Sequence, residues 1–161
     1  VILKNYASAH GKDIRDREVE AFAFTTNYVQ VWCYCPDEET NKIFKVSRIA
    51  TVEMLPDDWQ NEAKHRAGRI DVFRMNSEAC IPIKLKLGMR AVNLLMEEYP
   101  LSTNYITKTH DNRWLFEAEV CSLEGVGRFV MGLLDDVEIV ESFELQGYIA
   151  QLLKKFHGKI Y

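Results

Sequence analysis

The sequence predicts an α+β chain of two small domains, a β-barrel and then a β-α-β-β-α-β domain with a closing helix. Three observations carry this. Residues 1–55 hold short alternating runs separated by turn residues, with no helical period. Residues 56–68, PDDWQNEAKHRAG, change character, with Pro56 and two aspartates ahead of helix formers and Gly68 at the end. Beyond them, strand and helix signals interleave.

In the first part, residues 1–8 read as a strand with Tyr6 and Ser8 on one face, and HGKD at 10–13 as a turn. REVEAFAF (17–24) alternates Arg17, Val19, Ala21 and Ala23 against Glu18, Glu20, Phe22 and Phe24, and TTN at 25–27 turns the chain. The next strand sets Val29, Val31, Cys33 and Cys35 against Gln30, Trp32 and Tyr34. PDEETN (36–41) is a long hairpin loop leading to a basic strand, KIFKVSRI (42–49), that carries Lys45 and Arg48. ATVEML (50–55) is the last strand. Five short strands in about 55 residues suit a small barrel, which disposes of its own edges.

Residues 56–70 are expected to be a linker helix, leaving domains at 1–55 and 71–161. In the second domain, ACIPIKLKL (79–87) alternates as a strand, and GMRAVNLLMEEYP (88–100) spaces Val92, Leu95, Met96 and Tyr99 as a helix stopped by Pro100. STNYITKTH and RWLFEAEVC form a strand pair around a two-residue Asp111-Asn112 turn. SLEGVGRFVMGLL is a helix capped by Ser122 and weakened by Gly125, Gly127 and Gly132. VEIV (137–140) is a strand, and 142–157 close the chain as an amphipathic helix. This order is the ferredoxin-like arrangement.

Composition excludes several function classes. The chain has 161 residues, 47% hydrophobic and 27% charged, with a net charge of −4. An acidic balance argues against broad nucleic-acid binding, so any such binding is expected in a local basic groove near Arg15, Arg17 and the 42–49 strand. No apolar run approaches the roughly 20 residues of a membrane span, and no signal peptide opens the chain, so the expected compartment is the cytoplasm, without membrane contact. The chain opens on Val1 without an initiator Met, which suggests a fragment. The four cysteines are expected to be free and reduced. Cys80, Cys121, His10, His65, His110 and His157 stand singly, so neither a metal nor another cofactor is expected. With no nucleophile setting and no Gly-rich phosphate loop, an enzyme is not expected.

Several short motifs in the first part resemble the WYL domain family. Tyr6-Ala7-Ser8 matches the family's Tyr-x-Ser in the first strand, and Arg17-Glu18-Val19-Glu20 matches its Arg-x-Val motif, with Ala21 where Pro is common. Phe44-Lys45-Val46-Ser47-Arg48-Ile49 matches the run that ends the family core, and VESFELQGYIAQLLKKF is similar to the end of the extension domain that commonly follows it. Aligning Cys33-Tyr34-Cys35 on the family's Ala-Tyr-Cys puts Val29-Gln30-Val31 where Trp-Tyr-Leu is usual. The resemblance implies an Sm/SH3-like barrel and its extension, together the ligand-sensing part of a bacterial transcriptional regulator. Promoter DNA would then be read only by a helix-turn-helix domain upstream, outside this chain.

The expected ligand is anionic, single-stranded DNA or a nucleotide, held by Tyr6, Ser8, Arg17, Lys45 and Arg48. Arg offers a planar fork to phosphate, and the hydroxyls complete the shell. Gln30 or Trp32 would stand in for the family's aromatic. The plainer alternatives are that Arg17 and Arg48 form rim ion pairs with Glu18, Glu20 or Glu53, and that Trp32 and Tyr34 are core. A homodimer is also expected, and the competing function is a dimerisation module without a ligand of its own, built on the apolar face of helix 142–157.

Overall fold

The computed structural model describes residues 1–8 and 11–160. It divides into two compact units, Val1–Ala67 and Gly68–Tyr161. Both are built from antiparallel sheet, and the second also carries helices, so the chain is α+β.

Unit one contains β1 (Ile2–Ala7), β2 (Ile14–Glu18), β3 (Glu20–Phe24), β4 (Gln30–Cys35), β5 (Thr40–Lys45) and β6 (Thr51–Glu53). They form two three-stranded sheets, ordered β2-β1-β6 and β3-β4-β5. The single strand expected over 17–24 is thus two strands in different sheets. Val1 and Val19 exchange backbone hydrogen bonds at 2.9 Å, anchoring Val19 in the junction, and Glu20 leaves for the second sheet. A register shift between Ala21 and Ala23 further breaks the period, and Glu20 is buried.

The hairpin after β4 and the basic strand also differ from the expected form. The loop after β4 is shorter than PDEETN: a single turn, Pro36–Glu38, leads to Glu39 in the left-handed region (φ 49°), and Thr40 and Asn41 already pair with Cys35 and Tyr34. The basic strand ends at Lys45, and Val46–Arg48 is a 3-10 turn, so Arg48 is not on a strand. The turn expected at 10–13 begins on His10, which lies outside the described residues. From Gly11 onward it is closed by Gly11 N–H donating to Ser8 Oγ and Ser8 N–H to the Asp13 carbonyl.

The expected linker helix over 56–70 is absent. Only Glu62–Lys64 make a 3-10 turn, and residues up to Ala67 belong to unit one. The backbone is committed elsewhere, because the N–H groups of Gln60 and Asn61 donate to the Glu20 carboxylate instead of starting a helix. This segment also explains why every residue of β4 is buried. Val31, Cys33 and Cys35 join the apolar core with Leu3, Tyr6, Val19 and Phe44. On the opposite face, Lys64 lies 5.5 Å over the Tyr34 ring and His65 packs beside it.

Unit two contains β7 (Ile81–Leu87), α1 (Met89–Glu98), β8 (Ile106–Lys108), β9 (Trp114–Val120), α2 (Leu123–Met131), β10 (Val137–Ile139) and α3 (Phe143–Ile160). The sheet is antiparallel in the order β10-β7-β9-β8. Ile83, Leu85 and Leu87 of β7 point into a core shared with Phe116, Val92, Leu95, Val126 and Leu145. The strand expected over 102–110 is cut to three residues, since Pro100–Tyr105 coil as a 3-10 turn. The β8–β9 loop is five residues, 109–113, and not a two-residue turn; it is closed by Thr109 N–H donating to the Arg113 carbonyl, with Asn112 at φ 58°.

Ser122 caps α2 as expected, its Oγ accepting from Glu124 N–H. The glycines that count against this helix have a packing reason. A Cβ on Gly125 would sit 2.7 Å from Phe73 Cβ, and one on Gly127 would sit 2.5 Å from the Tyr148 ring. The start of α1 is satisfied from another element: Ala91 N–H donates to Asp136 Oδ2 and Gly88 N–H to the Asp136 carbonyl. Among the described residues, no helix is long and apolar enough to cross a membrane.

Candidate functional site

The seven residues singled out from the sequence fall into separate neighbourhoods of unit one. Four of them lie along the backbone of the corner where β5 turns toward β6. Tyr6 is buried with its ring edge-on to Phe44, and its hydroxyl accepts from Lys45 N–H at 3.3 Å. Gln30 faces Lys45 across β4 and β5, and its backbone is tied to Thr25. Arg48 sits three residues on, in a turn held by Val46 N–H donating to the Val29 carbonyl and Ala50 N–H to the Lys4 carbonyl. The turn therefore bridges the two sheets, and it presents Lys45 and Arg48 partly exposed.

Ser8 and Arg17 are not part of that corner. The Ser8 hydroxyl caps its own turn. Arg17 lies at the far end of β4, in a cleft of about 210 Å³ with Arg15, Cys35 and Glu38. Its guanidinium sits between Asp13 at 3.8 Å and Glu38 at 3.7 Å, which are not the carboxylates expected from the sequence. Gln30 and Cys35 are five residue steps apart along β4, a span of about 17 Å. A single small anion does not reach both arginines.

Trp32 is buried, between Ala23 and Ile43 in the ladder, and Tyr34 is buried too. Neither ring face is open for base stacking in this structure. Cys33 and Cys35 are free, and burial pushes the Cys33 thiol up to about 12. Both behave as small apolar core residues.

The strongest polar constellation joins residues far apart in the sequence. Glu20 on β3 and His65 in the 56–67 segment meet at 2.7 Å, with side chains only 11% and 8% exposed. The carboxylate also accepts from the N–H groups of Gln60 and Asn61 and from Asn61 Nδ2. The imidazole is stacked on Phe22 at 4.6 Å and meets the Trp59 edge at 5.0 Å. Burial pushes the Glu20 carboxyl up, but the hydrogen bonds from His65, Gln60 and Asn61 outweigh it and hold the group below its ordinary value. An ionised carboxylate only accepts, so His65 Nε2 is the donor.

A carboxylate saturated this way is a clamp and is poorly suited to proton transfer near neutral pH. It fastens the 56–67 segment over the second face of β4. Sequence spacing carries no sign of it, since the partners are 45 residues apart and Glu20 reads as one position of an alternating strand. Among the described residues, no group of three or more His, Cys, Asp or Glu side chains is placed to hold a metal.

No family model matches the chain, and no curated protein does either. Among solved structures, the chain is similar to proteasome accessory factor B/C (PafBC) of Arthrobacter aurescens, at 14% identity and a TM-score of 0.37. That match covers 95% of this chain and 24% of the other.

Proposed function

We propose that this chain is the ligand-sensing part of a WYL-type transcriptional regulator, and that unit one takes an anionic effector of nucleotide or single-stranded nucleic-acid type. In this reading the paired three-stranded sheets are an Sm/SH3-like barrel and unit two is the ferredoxin-like extension. The strand order supports the second assignment: β7 and β8, joined through α1, flank β9, while β9 and β10, joined through α2, flank β7. Promoter reading is assigned to a helix-turn-helix domain outside this chain. The role is binding and not catalysis.

The observation that carries the reading is the corner at the end of β5, where the Tyr6 hydroxyl accepts from Lys45 N–H, Gln30 faces Lys45 across the ladder, and Arg48 follows on the 3-10 turn. It sets Lys45 at the end of β5 and Arg48 on the turn that follows, a place for phosphate oxygens. Arg17, at the other end of β4, is excluded from it.

Anisotropy of a short fluorescent single-stranded DNA, read at two salt concentrations, tests this. Arg48→Ala should weaken binding by about tenfold or more and flatten the salt dependence, with the melting temperature nearly unchanged. Arg17→Ala should leave binding intact. A large loss of stability in Arg48→Ala with binding preserved would overturn the site.

One feature favours a second reading, a dimerisation module. Helix α3 leaves Phe143, Leu153, Phe156 and Ile160 exposed. A dimer by light scattering that binds no oligonucleotide or nucleotide would replace the sensor with this reading.

A further inference from the structure

Unit two holds two thiols face to face. Ile81 pairs with Val120 at the end of the β7–β9 ladder, so Cys80 and Cys121 stand opposite each other one step beyond it. Their Sγ atoms are 3.6 Å apart. Directly opposed residues on antiparallel strands have Cα atoms about 4.5–5.5 Å apart, inside the window of roughly 4.4–6.8 Å that disulfides occupy. Cys33 and Cys35 differ, being two residues apart on one strand, where Cα atoms are about 6.6–7 Å apart, at or beyond the edge of that window.

The two sulfurs have different surroundings. Cys80 is half-buried, whereas Cys121, just ahead of the Ser122 cap of α2, is buried, with its N–H donating to Asp71 Oδ2 at 2.7 Å and its thiol directed at the Arg69 carbonyl. Burial, and then the hydrogen bond with Cys80, push the Cys121 thiol up to about 11. Arg69 is bonded to Glu119. Cys80 is therefore the sulfur that a dissolved oxidant reaches, and Cys121 is placed to resolve the product.

We propose that Cys80 and Cys121 form a dithiol that a peroxide converts to a disulfide. The Cys80 thiolate attacks one peroxide oxygen, the O–O bond breaks, and the departing hydroxide takes up a proton as water. Cys80 is left as a sulfenic acid. The Cys121 sulfur then attacks the Cys80 sulfur, the S–O bond breaks, and the Cys121 proton leaves with the hydroxyl as a second water. Two electrons pass from the thiols to the peroxide, and the net change is two thiols and one hydrogen peroxide to one disulfide and two waters. The link staples β7 to β9 beside the Ser122 cap of α2.

The test uses the whole chain, fully reduced, then treated with hydrogen peroxide. Thiols titrated after denaturation should fall from the four in the sequence to two, and peptide mapping without reductant should recover Cys80 joined to Cys121. The melting temperature of unit two should rise by on the order of 10 °C and return on reduction. Cys80→Ser should keep its three remaining thiols under the same treatment. Four surviving thiols in the wild type, a sulfinic acid on Cys80 beside a free Cys121, or a link joining Cys33 to Cys35 would each overturn the proposal.

Discussion

The two units solve the same problem, a half-covered antiparallel sheet, by different means. In unit two, α1, α2 and α3 contribute to one core, and 16 described residues form a single buried apolar cluster centred on Leu85, Phe116 and Val126. In unit one, the corresponding cluster has seven residues, and it lies on one face of β4 only. The other face is closed by a segment whose regular structure is one 3-10 turn, fastened through Glu20 and His65. A unit of this size buries too little apolar surface to cover both faces with helices, so polar bonds to one carboxylate take over part of the work. Unit two should therefore respond most to lost volume, and unit one to lost hydrogen bonds and to pH.

The largest effect expected is on volume. Phe116→Ala removes a fully buried ring that meets Phe73 edge-on, and should cost about 3–5 kcal/mol in urea unfolding, with amide protection lost in unit two. Equal protection loss in both units would break this contrast.

Next comes the clamp. Glu20→Ala leaves the N–H groups of Gln60 and Asn61 and the imidazole of His65 without their acceptor, and should cost about 2–3 kcal/mol. Exchange should accelerate at 60–65. The pH dependence follows from the direction of the Glu20 shift. Its folded value is depressed, so its stabilisation is complete above the ordinary glutamate value of about 4.3 and is lost as pH falls through the lower folded value. Melting of the wild type against pH should thus show an acid limb that Glu20→Gln flattens. An unchanged limb would move the acid sensitivity to other carboxylates.

The smallest effect belongs to the open face of the unit-two sheet. Lys84 pairs with Glu117 at 3.1 Å and with Glu141 at 3.8 Å, all in reach of solvent. Lys84→Ala should leave the melting temperature essentially unchanged, because exposed pairs exchange Coulomb energy for side-chain entropy and screening. A clear drop would mean that this face is closed in solution, and would sharpen the case for a partner there.

Much of unit two was legible in sequence. The alternation of 81–87, the helical spacing of 88–100, Ser122 as a cap and the apolar spacing of 142–157 each reappear as β7, α1, α2 and α3, because burial on one face imposes the period directly. Unit one was legible in its strands but not in their grouping. Arg17 and Arg48 share a charge type and a motif-like setting, yet β4 separates them: Arg17 lies by Asp13 and Glu38, and Arg48 on the turn after Lys45. The linker failed for a different reason: residues 56–68 have helix-forming composition, but Glu20 withdraws the very N–H groups a helix would need.

By itself, then, the sequence determined the α+β class, most strand and helix positions and the burial of Cys33 and Cys35, since these follow from local period and side-chain chemistry. Tertiary structure alone decided which strands share a sheet, the Glu20–His65 clamp, the approach of Cys80 to Cys121 and the division of the candidate ligand residues. Each of these joins groups far apart along the chain, and such a pairing is set by register and by the competition of many donors for few acceptors, which no short window of residues records.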